Sequence, residues 1–297
     1  MAVRIRSLAL VVLLFVLPSP GHAVEPRDIG KAIEITNEVT AAQQNAAKRN
    51  LAKQDSVRER EVLESARNSR GEFILADDTK LVLGPTARLV LDQFVYDPNQ
   101  SVGNKVSVNF AKGAFRFISG GSGRGAYEIK TPLASVGIRG TKLDGYVADD
   151  GRMALLLHQN VGETTEVEVC STVTMERNCE VLRSRCHVVY VSPNGRVSPQ
   201  RANWDASALP DTSVQTAFPF LERRLTVDPV MGCRYADLFT PEPILRKAYA
   251  PAPVPSPAVP APVPPPVPPA IPIAVIGATV GVPLVVLLTD DDKPASP

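Results

Sequence analysis

The chain has 297 residues, with 32 Lys+Arg against 31 Asp+Glu and a formal net charge of +1. That length holds one medium domain with appendages, or two small domains. The balanced charge excludes the global basic field that holds nucleic acid or an anionic membrane, so no polyanionic partner is implied.

The N-terminus reads as an address. Arg4 and Arg6 precede the apolar run Leu8–Leu17, and Pro18–Ala23 ends in the small residues Gly21 and Ala23, placed for cleavage before Val24. About ten apolar residues cannot cross roughly 30 Å of hydrocarbon as a helix. Residues 1–23 are therefore expected to be a cleavable secretory signal peptide. No cysteine sits just after the cleavage point, so lipid anchoring at this end is not indicated.

From Ala42 to Arg70 the alanines and the Arg/Glu-rich "RERE" run favour helix by local propensity, although Val57, Val62 and Leu63 make no full apolar stripe. After Gly71 the pattern switches to strands. "GEFILADDTKLVLGP" places two apolar runs around Asp77–Asp78 and ends at Gly84–Pro85. "ARLVLDQFVYDPN" alternates, and "KVSVNFAKGAFRFISG" repeats the pattern around Lys112–Gly113. "YEIKTPLASVGIRGT" alternates, breaks at Pro132, alternates again and closes on two glycines flanking an arginine. "DGYVADDGRMALLLHQ" predicts a hairpin around Asp149–Gly151, and "CHVVYVSPNGRVSP" a turn at Asn194–Gly195. Short strands at this spacing point to an all-β unit, a sandwich, a barrel or a solenoid.

Export turns the four cysteines into disulfide candidates. "EVEVCSTVTMERNCEVLRSRC" reads as two strands around Arg177–Asn178, which would pair Cys170 with Cys179 and leave Cys186 for Cys233. Four cysteines allow three connectivities, and a metal site is the rival reading, but the spacing matches no common zinc pattern.

Residues 200–250 are less regular. Trp204, Phe218, Phe220, Leu221, Tyr235 and Phe239 are scattered among short helix-like pieces, as in a segment that caps a sheet, stapled by Cys233. Residues 251–272 hold 12 prolines. Such a stretch is expected to form a semi-rigid polyproline II spacer reaching roughly 70 Å. Residues 270–288 carry no charge, enough for one membrane crossing, with Gly277 and Gly281 forming a GxxxG face that could pack two such helices into a homodimer.

Chemistry-bearing motifs are absent from the sequence. His158 and His187, the two histidines after residue 23, each lie in an apolar run and read as ordinary strand residues. No G-x-S-x-G elbow, H-E-x-x-H helix or paired-carboxylate motif occurs. "SGGSGRG" (119–125) is followed by a strand pattern rather than a helix, so it reads as a flexible hairpin connection and not as a phosphate loop. Asp77–Asp78 lack the ligand spacing that calcium wants. The expectation is no enzyme, no cofactor and no metal.

Three segments in order, "LVLGPTARLVLDQFVYDP" (81–98), "KGAFRFISG" (112–120) and "IKTPLASVGIRGT" (129–141), resemble the FecR family of periplasmic sensor domains. The resemblance extends more weakly over 28–199 and implies an all-β fold with a solenoid-like or sandwich-like stack of short strands. It also implies strands in place of the helix that propensity favours before residue 70. Within the third motif, Thr131 and Pro132 would mark a corner, Gly137 and Gly140 would allow tight bends or close backbone approach, and Arg139 would bond turn carbonyls ahead of Thr141. The functional alternative is a partner-binding ridge. Family members that regulate sigma factors carry a cytoplasmic segment and a transmembrane helix ahead of the exported part, where this chain has its signal-like segment.

The combined expectation is a non-enzymatic protein of the bacterial periplasm, anchored at its C-terminus. Its FecR-like domain would bind an envelope protein, such as an outer-membrane receptor or signalling component. The alternative is a structural or cell-wall module binding glycan or polymer.

Overall fold

The computed structural model describes residues 26–239, apart from 44–45, 101 and 161–165. The expected signal peptide, the proline-rich spacer, the apolar segment with Gly277 and Gly281, and the end of the capping segment lie outside the described residues.

Among the described residues the chain forms sixteen strands. In order they are β1 (Asp28–Thr36), β2 (Val39–Ala42), β3 (Arg49–Asn50), β4 (Ser56–Arg58), β5 (Val62–Ser65), β6 (Arg70–Leu75), β7 (Lys80–Leu83) and β8 (Arg88–Val95). There follow β9 (Lys105–Ile118), β10 (Tyr127–Lys130), β11 (Ala134–Arg139), β12 (Thr141–Val147), β13 (Met153–Asn160), β14 (Glu166–Ser171), β15 (Cys179–Leu182) and β16 (Val188–Val191). The resemblance thus outperforms propensity between Ala42 and Arg70, where strands stand in place of a helix. Leu63 and Ser65 face inward at a period of two, and β5 pairs with β2 and β8 on its two sides, a pairing that overrides the helix-forming composition.

The strand that organises the fold is β9. Val106, Val108 and Phe110 in its first half and Phe115 and Phe117 in its second are all buried. Its first half pairs with β8 and β10, its second half with β7 and β12. Lys112–Gly113, expected to separate two elements, is instead a bend inside one 14-residue strand. Gly113 takes φ +88°, and a Cβ there would lie 2.4 Å from the Ala87 backbone, so only glycine fits. Across the bend Phe110 and Phe115 stack with ring centroids 3.7 Å apart.

The result is two layers sharing β9, sandwich-like and not closed into a barrel. The first layer runs β4-β1-β6-β7-β9-β12-β13-β16, the second β3-β2-β5-β8-β9-β10-β11-β14-β15. Inward side chains of both layers make one continuous core, including Phe73, Leu89, Phe117, Ile129, Val136, Leu155 and Val169. At roughly 1.5–3 kcal/mol for each large apolar side chain fully buried, this core dominates the stability of the domain.

Every strand pair is antiparallel except β9 with β10. The glycine-rich segment 119–126 is therefore not a hairpin connection, because it must carry the chain back to the start of β9. It is pinned by a buried carboxylate. Asp77 accepts from Thr79 (backbone N 3.0 Å, Oγ1 2.8 Å), from Ser122 Oγ at 2.6 Å and from Tyr127 OH at 3.1 Å. Burial, with the Asp77 charge beside it, pushes the Tyr127 phenol up to about 12.

Residues 200–239 lie across the outer face of the first layer. Trp204, Phe218 and Leu221 pack on Leu156, Val188 and Tyr190, and Phe220, Leu225 and Val227 on Val82 and Ala114. Helix is limited here to one turn, Val214–Ala217, capped by Ser213, and a 3-10 turn, Tyr235–Leu238. Phe239 stays exposed.

Candidate functional site

The two outer faces of the sandwich carry the polar chemistry, in opposite ways. Under the cap, Asp144 on β12 stands directly opposite Arg116 on β9. Arg116 forks onto that carboxylate, Nε to Oδ1 at 2.6 Å and Nη2 to Oδ2 at 2.9 Å, and gives Nη1 to Asp228 Oδ2 of the cap at 2.9 Å. A register shift between Lys142 and Leu143 makes His158 the extra residue of a β-bulge, a device that re-aims a side chain. His158 Nε2 lies 2.9 Å from Asp144 Oδ2, and His158 Nδ1 accepts from the Cys233 backbone N–H at 3.0 Å. Lys142 Nζ reaches Asp228 Oδ2 and the Val230 carbonyl, each at 2.6 Å.

These contacts fix the protonation states. Nδ1 is an acceptor, so the hydrogen sits on Nε2 and points at Asp144. Burial pushes the His158 value down, against the pull of Asp144, and the ring is neutral. Burial opposes ionisation of Asp144, but Arg116 and His158 overcome it and hold the carboxylate well below its usual range. A His–Asp pair has the parts of a general base, yet His158 is 0% exposed and both ring nitrogens are engaged, leaving no access for a substrate. The cluster fastens the cap.

A covalent link reinforces it. Cys186 and Cys233 form one disulfide and Cys170 and Cys179 the other. The first ties the cap to the chain entering β16. The second crosses the register pair Cys170↔Cys179 of β14 and β15. Glu168 lies close to Cys170 and Cys179, but sulfurs joined in a disulfide offer no thiolate to a metal.

The distinctive motif divides between turn chemistry and open surface. Thr131 closes the β10–β11 turn: its N donates to Ala134 O at 2.8 Å, and its Oγ1 accepts from Ala134 N at 3.1 Å, with Pro132 at the corner. Gly140 takes φ +63°, where the chain passes from β11 in the second layer to Thr141 and β12 in the first. Gly137 has no such requirement: it is an ordinary strand position, and a Cβ there would meet nothing within 4 Å. Arg139 is exposed and reaches Glu166 of β14 at 3.6 Å rather than the turn carbonyls.

Gly137 and Arg139 belong to the outer face of the second layer, which no other segment among the described residues covers. Its charges pair across the face: Lys130 with Asp92 at 2.8 Å, Lys105 with Glu128 at 4.0 Å, and Lys48 and Arg88 both with Glu64. Such pairs, 20–60% exposed, contribute about 0–1 kcal/mol each and exchange readily with an incoming partner.

Sequence reasoning missed the capped cluster. Arg116, Asp144 and His158 each read as a lone polar residue in an apolar strand; the signal was that three neighbouring strands each carry one.

Residues 61–161, from the residue before β5 to just past β13, match the family model described as FecR protein, over about a third of the chain. The chain carries a FecR domain. The match includes the Thr131–Thr141 motif and three of the cluster's charged residues, while the cap and both disulfides fall outside it. Two crystal structures of a putative anti-sigma factor from Parabacteroides distasonis are similar at TM-scores of 0.35 and 0.34 and 16% identity. They cover 47% of this chain, which spans 58% of theirs, and a likeness at that level carries no argument about function. A comparison with curated proteins finds no match. Among the described residues no helix is long and apolar enough to cross a membrane.

Proposed function

We propose that the protein is a non-enzymatic component of an envelope signalling assembly, whose FecR domain binds another envelope protein through the open outer face of its second layer. One observation carries the reading. The FecR domain has two polar-bearing outer faces, and one is sealed by the chain's own cap while the other, with exchangeable ion pairs, is left bare. A sensor or adaptor role follows from the family, whose members act in signal transduction. Export through residues 1–23 and anchoring through residues 270–288, at the end of the proline-rich spacer, complete the proposal and place the domain in the periplasm.

The glycan-binding alternative finds less support. Sugar platforms use aligned exposed aromatics, and the outward positions of β8, β10, β11 and β14 are filled by Arg88, Val90, Glu128, Lys130, Gly137, Glu168 and similar residues.

The test is in-cell crosslinking of the tagged full-length protein, followed by mass spectrometry. A reproducible outer-membrane receptor or signalling protein, lost when the FecR domain is deleted, supports the reading. Recovery of itself and wall fragments alone moves the assignment to a structural module.

A further inference from the structure

On the open face one strip differs from its surroundings. Ala42, Val62 and Val90 stand opposite one another on β2, β5 and β8, a half-buried apolar row in a face that is otherwise mostly polar or charged. They floor a groove of about 560 Å³ whose rim carries the cations Lys48, Arg60 and Arg88 and the carboxylates Glu64 and Asp92. A hollow of about 310 Å³ adjoins it at Arg88, and another of about 500 Å³ adjoins it at Arg60 and ends at Val95. The three follow β8 from Arg88 to Val95, a track of about 23 Å at ~3.3 Å per residue.

Arg60 marks the site. Its backbone sits in the left-handed region at φ +62°, held by its N–H bond to Leu91 O at 2.6 Å. Seven other described non-glycine residues share a positive φ, and Arg60 adopts it in the turn between β4 and β5, where glycine would be unstrained. Its exposed guanidinium has no ion-pair partner among the described residues. The other two rim cations, Lys48 and Arg88, share the single carboxylate of Glu64.

We propose that this track is a docking groove for an extended acidic segment of a partner protein, with a carboxylate on Arg60 and alternate apolar side chains on the Ala42–Val62–Val90 floor. The inference rests on the partner-binding reading above and names the chemistry of the partner. The length of the track selects a linear ligand: a chain of about seven extended residues spans it, whereas a compact small molecule fills one hollow. Period-two side chains set one row toward the floor and the other toward the rim.

The probe is a fluorescein-labelled peptide, Ser-Asp-Val-Glu-Val-Asp-Ser, titrated by anisotropy into the full-length protein beside its Asn/Gln counterpart. The acidic peptide is expected to bind at least tenfold more tightly than the amide peptide, and Arg60→Gly to weaken it at least tenfold. Because glycine adopts a positive φ without cost, Arg60→Gly is also expected to keep or raise the Tm, so lost binding cannot come from lost fold. Equal binding of the two peptides, no binding of either, or unchanged affinity in Arg60→Gly overturns the proposal. So does an equal loss in Arg177→Ser, a cation elsewhere on the same face, because that result is general charge attraction. If Arg60→Gly leaves the in-cell crosslinked partner in place, the groove is wrong while the partner-binding reading stands.

Discussion

The capped and the open faces are built from the same residue types and differ in what water can reach. Beneath the cap, Arg116, Asp144, His158, Lys142 and Asp228 lose their hydration, and each must find a fixed partner or cost several kcal/mol. On the open face, Glu64, Asp92, Glu128 and Glu168 keep water beside their cationic partners and lose little when a pair breaks. One arrangement therefore specifies structure, and the other leaves a surface free for exchange.

The largest effect expected from this contrast is at the capped face. Asp144→Ala strands Arg116 and His158 in the interior, and a loss of about 3–5 kcal/mol is expected in urea unfolding. Glu64→Gln on the open face should change stability by less than about 0.5 kcal/mol. Equal effects would erase the distinction between the faces.

The disulfides extend the comparison. Cys186 and Cys233 are 47 residues apart and Cys170 and Cys179 nine. Loop-closure entropy assigns about 4 kcal/mol to the first and about 3 to the second. Replacing Cys233 with serine should lower the Tm more than replacing Cys179, and should also speed proteolysis within 200–239, because the cap loses its covalent tie. Digestion that starts elsewhere would show that the cap is held without it.

Glycines sharpen the contrast between structure and surface inside the family motif's neighbourhood. Gly113→Ala forces a side chain into a positive φ and onto the Ala87 backbone, and roughly 2–3 kcal/mol should be lost. Gly137→Ala meets nothing and removes a flexible residue from a strand, so stability should hold or rise by about 0.5 kcal/mol. Thermal unfolding of the two variants decides it.

The capped face also carries a pH dependence of its own. The folded value of His158 is depressed, so above the unfolded value of about 6.5 the ring is neutral in both states and contributes no pH dependence. As pH falls below 6.5 the unfolded chain binds a proton that the folded one refuses, and stability declines by up to about 1.4 kcal/mol per pH unit until the folded value is reached. The paired carboxylate of Asp144 contributes stability above the unfolded carboxylate range near 3.9, so its loss comes only at lower pH. Urea midpoints between pH 7.5 and 5.0 should fall in the native protein and flatten in His158→Gln, whose amide can accept from Cys233 and donate to Asp144. An unchanged slope would mean that His158 is not the group titrating.

These faces were unevenly legible in the sequence. Strand alternation located β6 through β9 and the 149–151 hairpin, because a half-buried strand must alternate. The Cys170–Cys179 partnership followed from a turn between two strands. Long-range register was not legible: nothing local says that β9 serves both layers, that β10 returns parallel to it, or that a bulge at His158 aims its ring at Asp144. Nor could alternation tell an outward position that is capped from one that is bare, since both begin as polar residues in an apolar strand. That difference is set by residues 200–239, more than forty positions away from His158.

Site-resolved photo-crosslinking in cells tests the central claim most directly. Benzoylphenylalanine is placed at Ser135 on the open face and at Arg223 on the outer surface of the cap. The account predicts a discrete adduct with an envelope protein from Ser135 and none from Arg223. An adduct from Arg223 with none from Ser135 would contradict it and make the cap the binding surface.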